Sequence, residues 1–299
     1  MSPELFVEQA INGLQLGMIL FLMAVGVTLA FGVMNLINLA HGSMLMLGAY
    51  LIAASAAKIP SFLLALVVAM ILIAIIAAVL EVLIVRPLYA HGHLDQVLAT
   101  FGVSIALNEA VIMIWGREAV FIAPPDWLDG TVQLSAGISY PVYRLAITAV
   151  AAVAGIGLWL LLSKTRLGMQ IRAGAEKGEI VGALGVNIRA LFTAVFVISS
   201  LLAALGGVML GPLLAVQSGM GDSLLILALA VVVIGGVGSL KGALVAALIV
   251  GLTDTFGRML WPQLFGELVG NIVANSSVYI LMALVIAVRP VGLFGKHAR

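Results

Sequence analysis

Phe62-Leu-Leu-Ala-Leu-Val-Val-Ala-Met-Ile-Leu-Ile-Ala-Ile-Ile-Ala-Ala-Val-Leu-Glu-Val-Leu-Ile-Val85 holds one ionisable side chain, Glu81. The run exceeds the ~20 apolar residues that cross a ~30 Å hydrocarbon core as an α-helix. Ile11 to Val33 and Leu268 to Val288 read the same way. Working outward, hydrophobic segments fall at about 10–33, 43–57, 61–85, 95–115, 145–163, 190–213, 223–238, 243–257 and 268–288, the second, seventh and eighth of them short. Their apolar runs are continuous, whereas barrel strands alternate at period two, so a β-barrel is excluded. Helices are then the remaining way to satisfy the backbone in lipid. The chain reads as an all-α polytopic transmembrane bundle of eight or nine membrane segments, a single transmembrane domain over residues 1–299.

Composition agrees. Of 299 residues 63% are hydrophobic and 9% charged, with a mean hydropathy of +1.25, far from the usage of soluble domains. Cysteine is absent, so neither disulfides nor thiolate metal sites contribute. The opening Met1-Ser-Pro-Glu-Leu-Phe-Val-Glu has two acids and no base, the reverse of a signal peptide's basic start, and predicts no cleaved presequence. A net charge of +1 speaks against a nucleic-acid partner.

If the nine crossings alternate, Arg86, Lys164, Arg166, Arg172, Lys177, Arg189, Lys241, Arg289, Lys296 and Arg299 fall on one side, and only Lys58, Arg117, Arg144 and Arg258 on the other. The positive-inside rule then predicts an outside N-terminus and a cytoplasmic C-terminus. Two loops are long. The outer one, 116–144, with Trp127, Tyr140, Tyr143 and flanking Trp115, reads as an aromatic-anchored surface segment. The inner one, 164–189, sets Ile171, Ala175, Ile180, Ala183 and Leu184 among charges at near-helical spacing, which predicts a short amphipathic cytoplasmic helix.

No self-contained engine is visible. Gly235-Gly-Val-Gly-Ser-Leu-Lys-Gly242 lacks the glycine before Lys241 and the hydroxyl residue after it that a phosphate loop needs. Its glycines suit close helix packing or a turn. His91 and His93 beside Asp95 have no further clustered ligand in sequence, so no metal site is predicted. No Gly-x-Ser-x-Gly elbow occurs. Within the spans Glu81 lies about one turn from Arg86, which predicts an ion pair, while Glu109 is the group an ion-coupled carrier would use. Thr100, Ser104 and Asn108 share a helical face at i, i+4 and i+8. That face is either an interhelical hydrogen-bond seam or a polar translocation lining. Asn35, Asn38, His41 and Ser43 interrupt an apolar run, and the three-residue intervals between Asn35, Asn38 and His41 align these three roughly along one side. They mark either a broken helix bordering a cavity or a connection in which Asn38 or Ser43 caps the second helix.

Three stretches in order, Val33-Met-Asn-Leu-Ile-Asn-Leu-Ala-His-Gly-Ser-Met-Leu-Met-Leu-Gly-Ala-Tyr50, Ile234-Gly-Gly-Val-Gly-Ser-Leu-Lys-Gly-Ala-Leu244 and Arg289-Pro-Val-Gly-Leu-Phe-Gly295, make the chain resemble the permease subunits of branched-chain amino acid ABC importers. The resemblance implies a non-enzymatic transporter subunit, without a cofactor of its own, in a bacterial-type inner (plasma) membrane. Its implied partners are two cytoplasmic ATPase subunits that use the ATP, a second homologous permease and a periplasmic solute-binding protein. It places the ATPase coupling element at Arg172, Ala173, Glu176, Gly182, Gly185 and Asn187, where Gly174 and Gly178 depart from the family's commonest pattern. The solute would be a branched-chain or other hydrophobic amino acid; urea, short amides or other amino acids, which related permeases carry, are the alternative. An apolar path with a few amides and hydroxyls suits such a solute; Asn35, Asn38, His41, Ser43, Thr100, Ser104, Asn108 and Glu109 are its candidates. A secondary carrier built on Glu109, or a membrane enzyme built on His91 and His93, are the rival readings.

Overall fold

The computed structural model describes residues 3–135 and 138–295. Lys296 and Arg299, counted above on the basic side, lie outside the described residues. Helices α1 (Pro3–Met34), α2 (His41–Ala56), α3 (Phe62–Leu80) and α4 (His93–Trp115) come first. A hairpin, β1 (Thr131–Ser135) and β2 (Ile138–Pro141), leads into α5 (Val142–Lys164) and α6 (Arg166–Ala183). Then follow α7 (Ile188–Leu210), α8 (Met220–Gly235), α9 (Leu240–Phe265) and α10 (Glu267–Val288). Seven of these, α1, α3 with its extension, α4, α5, α7, α9 and α10, are long and apolar enough to span a membrane. With the shorter apolar α2 and α8 they account for the nine hydrophobic segments.

The eighth segment is not short: α9 has 26 residues. Hydropathy loses it at both ends, where Ser239 caps the start by accepting from the Gly242 amide and an Arg258–Asp254 ion pair lies near the finish. α3 continues through a wide π turn at Glu81–Val85 and a tight 3₁₀ turn at Arg86–Ala90. Pro87 explains the change of pitch, since it has no amide hydrogen and its ring crowds the carbonyl four residues back.

α1 is the central post, packed on α9, α7, α8 and α5. Small residues let the backbones meet: a Cβ at Gly17 would lie 2.8 Å from the Ala247 carbonyl oxygen, the close approach that holds helices together where lipid offers no hydrophobic drive. The order long helix, half-length helix, two long helices occurs twice, as α1–α4 and as α7–α10. Contacts follow it: α1 packs on α8 and α9 as α7 packs on α2 and α3. The two units run in opposite senses. α1 ends where Gly32 and Val33 share a cavity wall with Arg172 of α6, whereas α7 begins just after α6 and ends beside the hairpin, where Tyr143 donates to the Met209 carbonyl.

The hairpin was not foreseen, and two of the expected surface aromatics are plugs. Tyr140 and Tyr143 are buried. Tyr140 donates to Asn12 and to Gln15 on α1, at 2.9 and 3.3 Å, and Arg144 donates to the same Asn12. Burial raises the Tyr140 phenol above its ordinary range, against the opposing pull of Arg144, and keeps it a donor. Trp115 stacks at a tilt on Tyr50, and Trp127 alone of the four is strongly exposed.

Candidate functional site

The path between α1 and α2 is a connection, not a continuous polar face. Residues 35–40 are non-helical, Asn35 adopts a φ of +50° and is exposed, and Asn38 and His41 are buried. The expected alignment of Asn35, Asn38 and His41 therefore does not form. Neither expected cap forms either: Asn38 accepts from the Ala40 amide in a local turn, and Ser43 bonds Ser104 at 2.9 Å. His41, the first residue of α2, reaches the Met23 carbonyl at 3.2 Å. Met23 sits eleven residues before the end of α1, about 16 Å along its axis. The connection thus turns back into the bundle, and α2 begins at half depth.

α8 begins at half depth as well, against the start of α2: a Cβ on Gly42 would lie 2.8 Å from the Gly221 carbonyl oxygen, and one on Gly221 would overlap the Gly42 carbonyl. Two half-helices therefore meet end against end at a pair of glycines. The α4 stripe stitches both starts in place. Thr100 accepts from the Leu39 amide at 3.1 Å and is buried; Ser104 holds Ser43; Asn108 accepts from the Gly219 amide at 2.8 Å and from Ser218 at 3.2 Å. Asn38, His41, Ser43, Thr100, Ser104 and Asn108 are brought together as one largely buried seam. Glu109 points away from it, exposed, with no hydrogen bond or ion pair among the described residues.

At the α6 end, two of the three diagnostic stretches interlock. Gly235 and Gly242 close the turn from α8 to α9, with Gly236 and Gly238 at positive φ. The terminal stretch lies against that turn, as Leu293 and Phe294 donate their amides to the carbonyls of Ile234 and Gly235 at 2.8 and 3.0 Å. These glycines make a turn and a close contact. Nearby, the Glu81 carboxylate is fully buried and accepts from Arg86 at 2.8 Å, Tyr89 at 2.8 Å and Thr193 of α7 at 2.8 Å, forming the expected ion pair and tying α3 to α7.

α6 is the predicted amphipathic helix, but it turns a different face inward. Gly168, Ile171, Gly174 and Val181 are buried, while Ala175, Ile180, Ala183 and Leu184 are exposed, Leu184 at 80%. Lys177 has non-helical angles (φ −148°, ψ 72°), so the periodicity read across it does not hold. Arg172 donates to the Leu162 carbonyl at the end of α5, and Asn187 caps α7 by accepting from the Ala190 amide at 3.0 Å. Gly185 has a φ of +90° and forms the turn between α6 and α7. Ala173 and Glu176 are exposed, and Gly182 is half-buried. Among the described residues no three His, Asp or Glu side chains are placed to hold a metal ion; His91 bonds the Pro87 carbonyl.

Comparison with known proteins bears on what this architecture is for. Residues 9–288 match the family described as branched-chain amino acid transport system / permease component. The chain is 30% identical to the high-affinity branched-chain amino acid transport system permease protein BraD of Pseudomonas aeruginosa, covering 98% of each chain. It is 29% identical to the corresponding permease protein LivH of Salmonella typhimurium, over 97% of this chain and 96% of that one. More distantly, it is 27% identical to the ribose import permease protein RbsC of Escherichia coli, over 96% of this chain and 88% of that one. No solved structure matches. With seven long apolar helices among the described residues, the chain is a multi-pass inner-membrane protein, and it belongs to the family of permease components of branched-chain amino acid transport systems.

Proposed function

We propose that this chain forms the translocation path of an ATP-driven importer for branched-chain or other hydrophobic amino acids and that α6 couples it to a separate ATPase. The observation that carries the reading is the pair of half-helices. Two segments that start at half depth and abut through Gly42 and Gly221, within units that run in opposite senses, make a bundle that can open toward either face by moving one unit against the other. A second permease, two ATPase subunits and a solute-binding protein complete the assembly. The α6 end carries Arg86, Lys164, Arg166, Arg172, Lys177, Arg189, Lys241 and Arg289, which supports a cytoplasmic placement of that end and an outside N-terminus.

α6 is suited to transmit motion. Its buried face is locked to α5 and α7, and its outer face offers Met169, Ile180 and Leu184, each more than half exposed, among charges. A rigid helix tied to two spans carries a partner's closure into the bundle when its contacts differ between the two states. The similarity to a ribose permease leaves sugars and small polar solutes as the competing cargo.

The test is uptake of labelled leucine by vesicles containing this chain with its co-purified partners and binding protein. ATP-dependent leucine accumulation, competed by isoleucine and valine but not by ribose or urea, supports the reading. Accumulation that persists without ATP supports a carrier built on Glu109, and competition by ribose or urea reassigns the cargo.

A further inference from the structure

α10 carries a row of polar side chains that nothing among the described residues satisfies. Asn271, Asn275 and Tyr279 stand at i, i+4 and i+8, on a row about 100° around the helix from the buried row of Gly270, Ala274 and Val278. Both asparagines are exposed, and Tyr279 is 42% exposed. Counted from Glu267, they lie about 6, 12 and 18 Å into the helix, within a ~30 Å hydrocarbon core. None makes a hydrogen bond among the described residues, whereas the neighbouring Ser276 and Ser277 do, by donating to the carbonyls of Ile272 and Val273 at 2.9 and 2.8 Å.

Exposed faces elsewhere show what lipid selects. On α3 they are Leu63, Leu64, Val67, Ile71 and Ile75, and on mid-α5 Val153, Ile156, Trp159 and Leu160. An amide left bare to hydrocarbon costs several kcal/mol by ~4–8 kcal/mol transfer measures, so two amides one turn apart require water, solute or protein against them. In the repeated architecture α4 is the counterpart of α10, and it too exposes an unpartnered group at depth, Glu109, between Ile105 and Met113 on its outer face.

We infer that the Asn271–Asn275–Tyr279 face of α10 is a wall of the solute path and contacts the transported solute. This rests on the importer reading above. Each amide presents both a donor and an acceptor, so the pair can hold the carboxylate and the ammonium of an amino acid in turn. Leu268, Ile272 and Ile286 on the same side supply an apolar surface for its aliphatic chain.

Because the chain has no cysteine, single cysteines report cleanly. Asn271→Cys, Asn275→Cys and Tyr279→Cys are compared with Val153→Cys on α5 and Ile71→Cys on α3 in the assembled transporter. Each is treated with a membrane-impermeant, positively charged methanethiosulfonate, nucleotide-free and after vanadate trapping. The expected result is modification at the three α10 positions, at rates that differ between the two states, with Val153→Cys and Ile71→Cys inert. In parallel, Asn275→Leu lowers leucine uptake by about 10- to 100-fold, the loss of one or two hydrogen bonds to a charged solute, while all subunits still co-purify. The inference is overturned if the α10 cysteines are as inert as the controls in both states, or if Asn271→Leu/Asn275→Leu leaves uptake unchanged. It is also overturned if Asn275→Leu releases the partner permease, which makes the face a subunit seam. Failure of the importer reading is separate, and shows as absent ATP-driven uptake in the unmodified protein.

Discussion

Replacing Glu81 by Ala removes the acceptor for three side chains at once. Arg86 donates to it through Nη2 at 2.8 Å and Nε at 3.3 Å, Tyr89 at 2.8 Å and Thr193 at 2.8 Å. The Glu81 side chain is wholly buried and that of Arg86 31% exposed. Breaking a buried pair from one side costs ~3–5 kcal/mol; water reaching Arg86 trims this to about 3 kcal/mol. At ~2–4 °C per kcal/mol that is a loss of about 6–12 °C. The assay is the temperature at which half of the detergent-purified protein loses its monodisperse elution peak. Glu81→Gln, which keeps an acceptor, loses less. Arg86→Ala is also destabilising, and the Glu81→Ala/Arg86→Ala double variant loses less than the sum of the singles, because the pair acts as a unit. A Glu81→Ala shift of under ~2 °C, or strictly additive singles, refutes the claim that this cluster holds the wide turn of α3 against α7.

Further expectations follow from the packing. Gly207→Leu, whose Cβ would run into the Leu45 carbonyl, removes most monodisperse protein, while Gly157→Ala, with nothing near it, leaves the yield unchanged. Asn108→Ala frees the Gly219 amide at the start of α8 and costs about 1–2 kcal/mol, read as a few degrees in the same thermal assay. Ile180→Asp and Leu184→Asp on the outer face of α6 leave thermal stability unchanged but reduce the ATPase recovered on a tagged permease, and equal recovery removes α6 as the coupling element.

Much of the fold was legible because lipid imposes a simple rule. Long continuous apolar runs such as Phe62–Leu80 have one structural solution, so their existence and helical type follow from composition. The Thr100, Ser104 and Asn108 face was readable for a related reason, as three polar groups at helical spacing in an apolar helix must meet partners. What they meet was not readable, because Leu39, Ser43 and Gly219 are distant in sequence and are brought there only by the half-depth starts of α2 and α8. Asn35, Asn38 and His41 misled because their three-residue spacing matters only if the chain is helical there, and it is not. α6 misled in the same way, since the break at Lys177 rotates one half of the helix relative to the other. The α10 face was not legible because two asparagines in an apolar span look like an interruption, and only the packing leaves them uncovered among the described residues.

The central claim is that this chain is a permease subunit driven by a separate engine. It is tested most directly by tagging the chain, crosslinking in its native membrane, extracting in mild detergent and identifying stoichiometric partners by mass spectrometry. The account predicts an ATPase bearing phosphate-loop motifs together with a second permease of similar size, and crosslinks from that ATPase to α6. Recovery of the chain alone, or only with copies of itself, after the same crosslinking would contradict it.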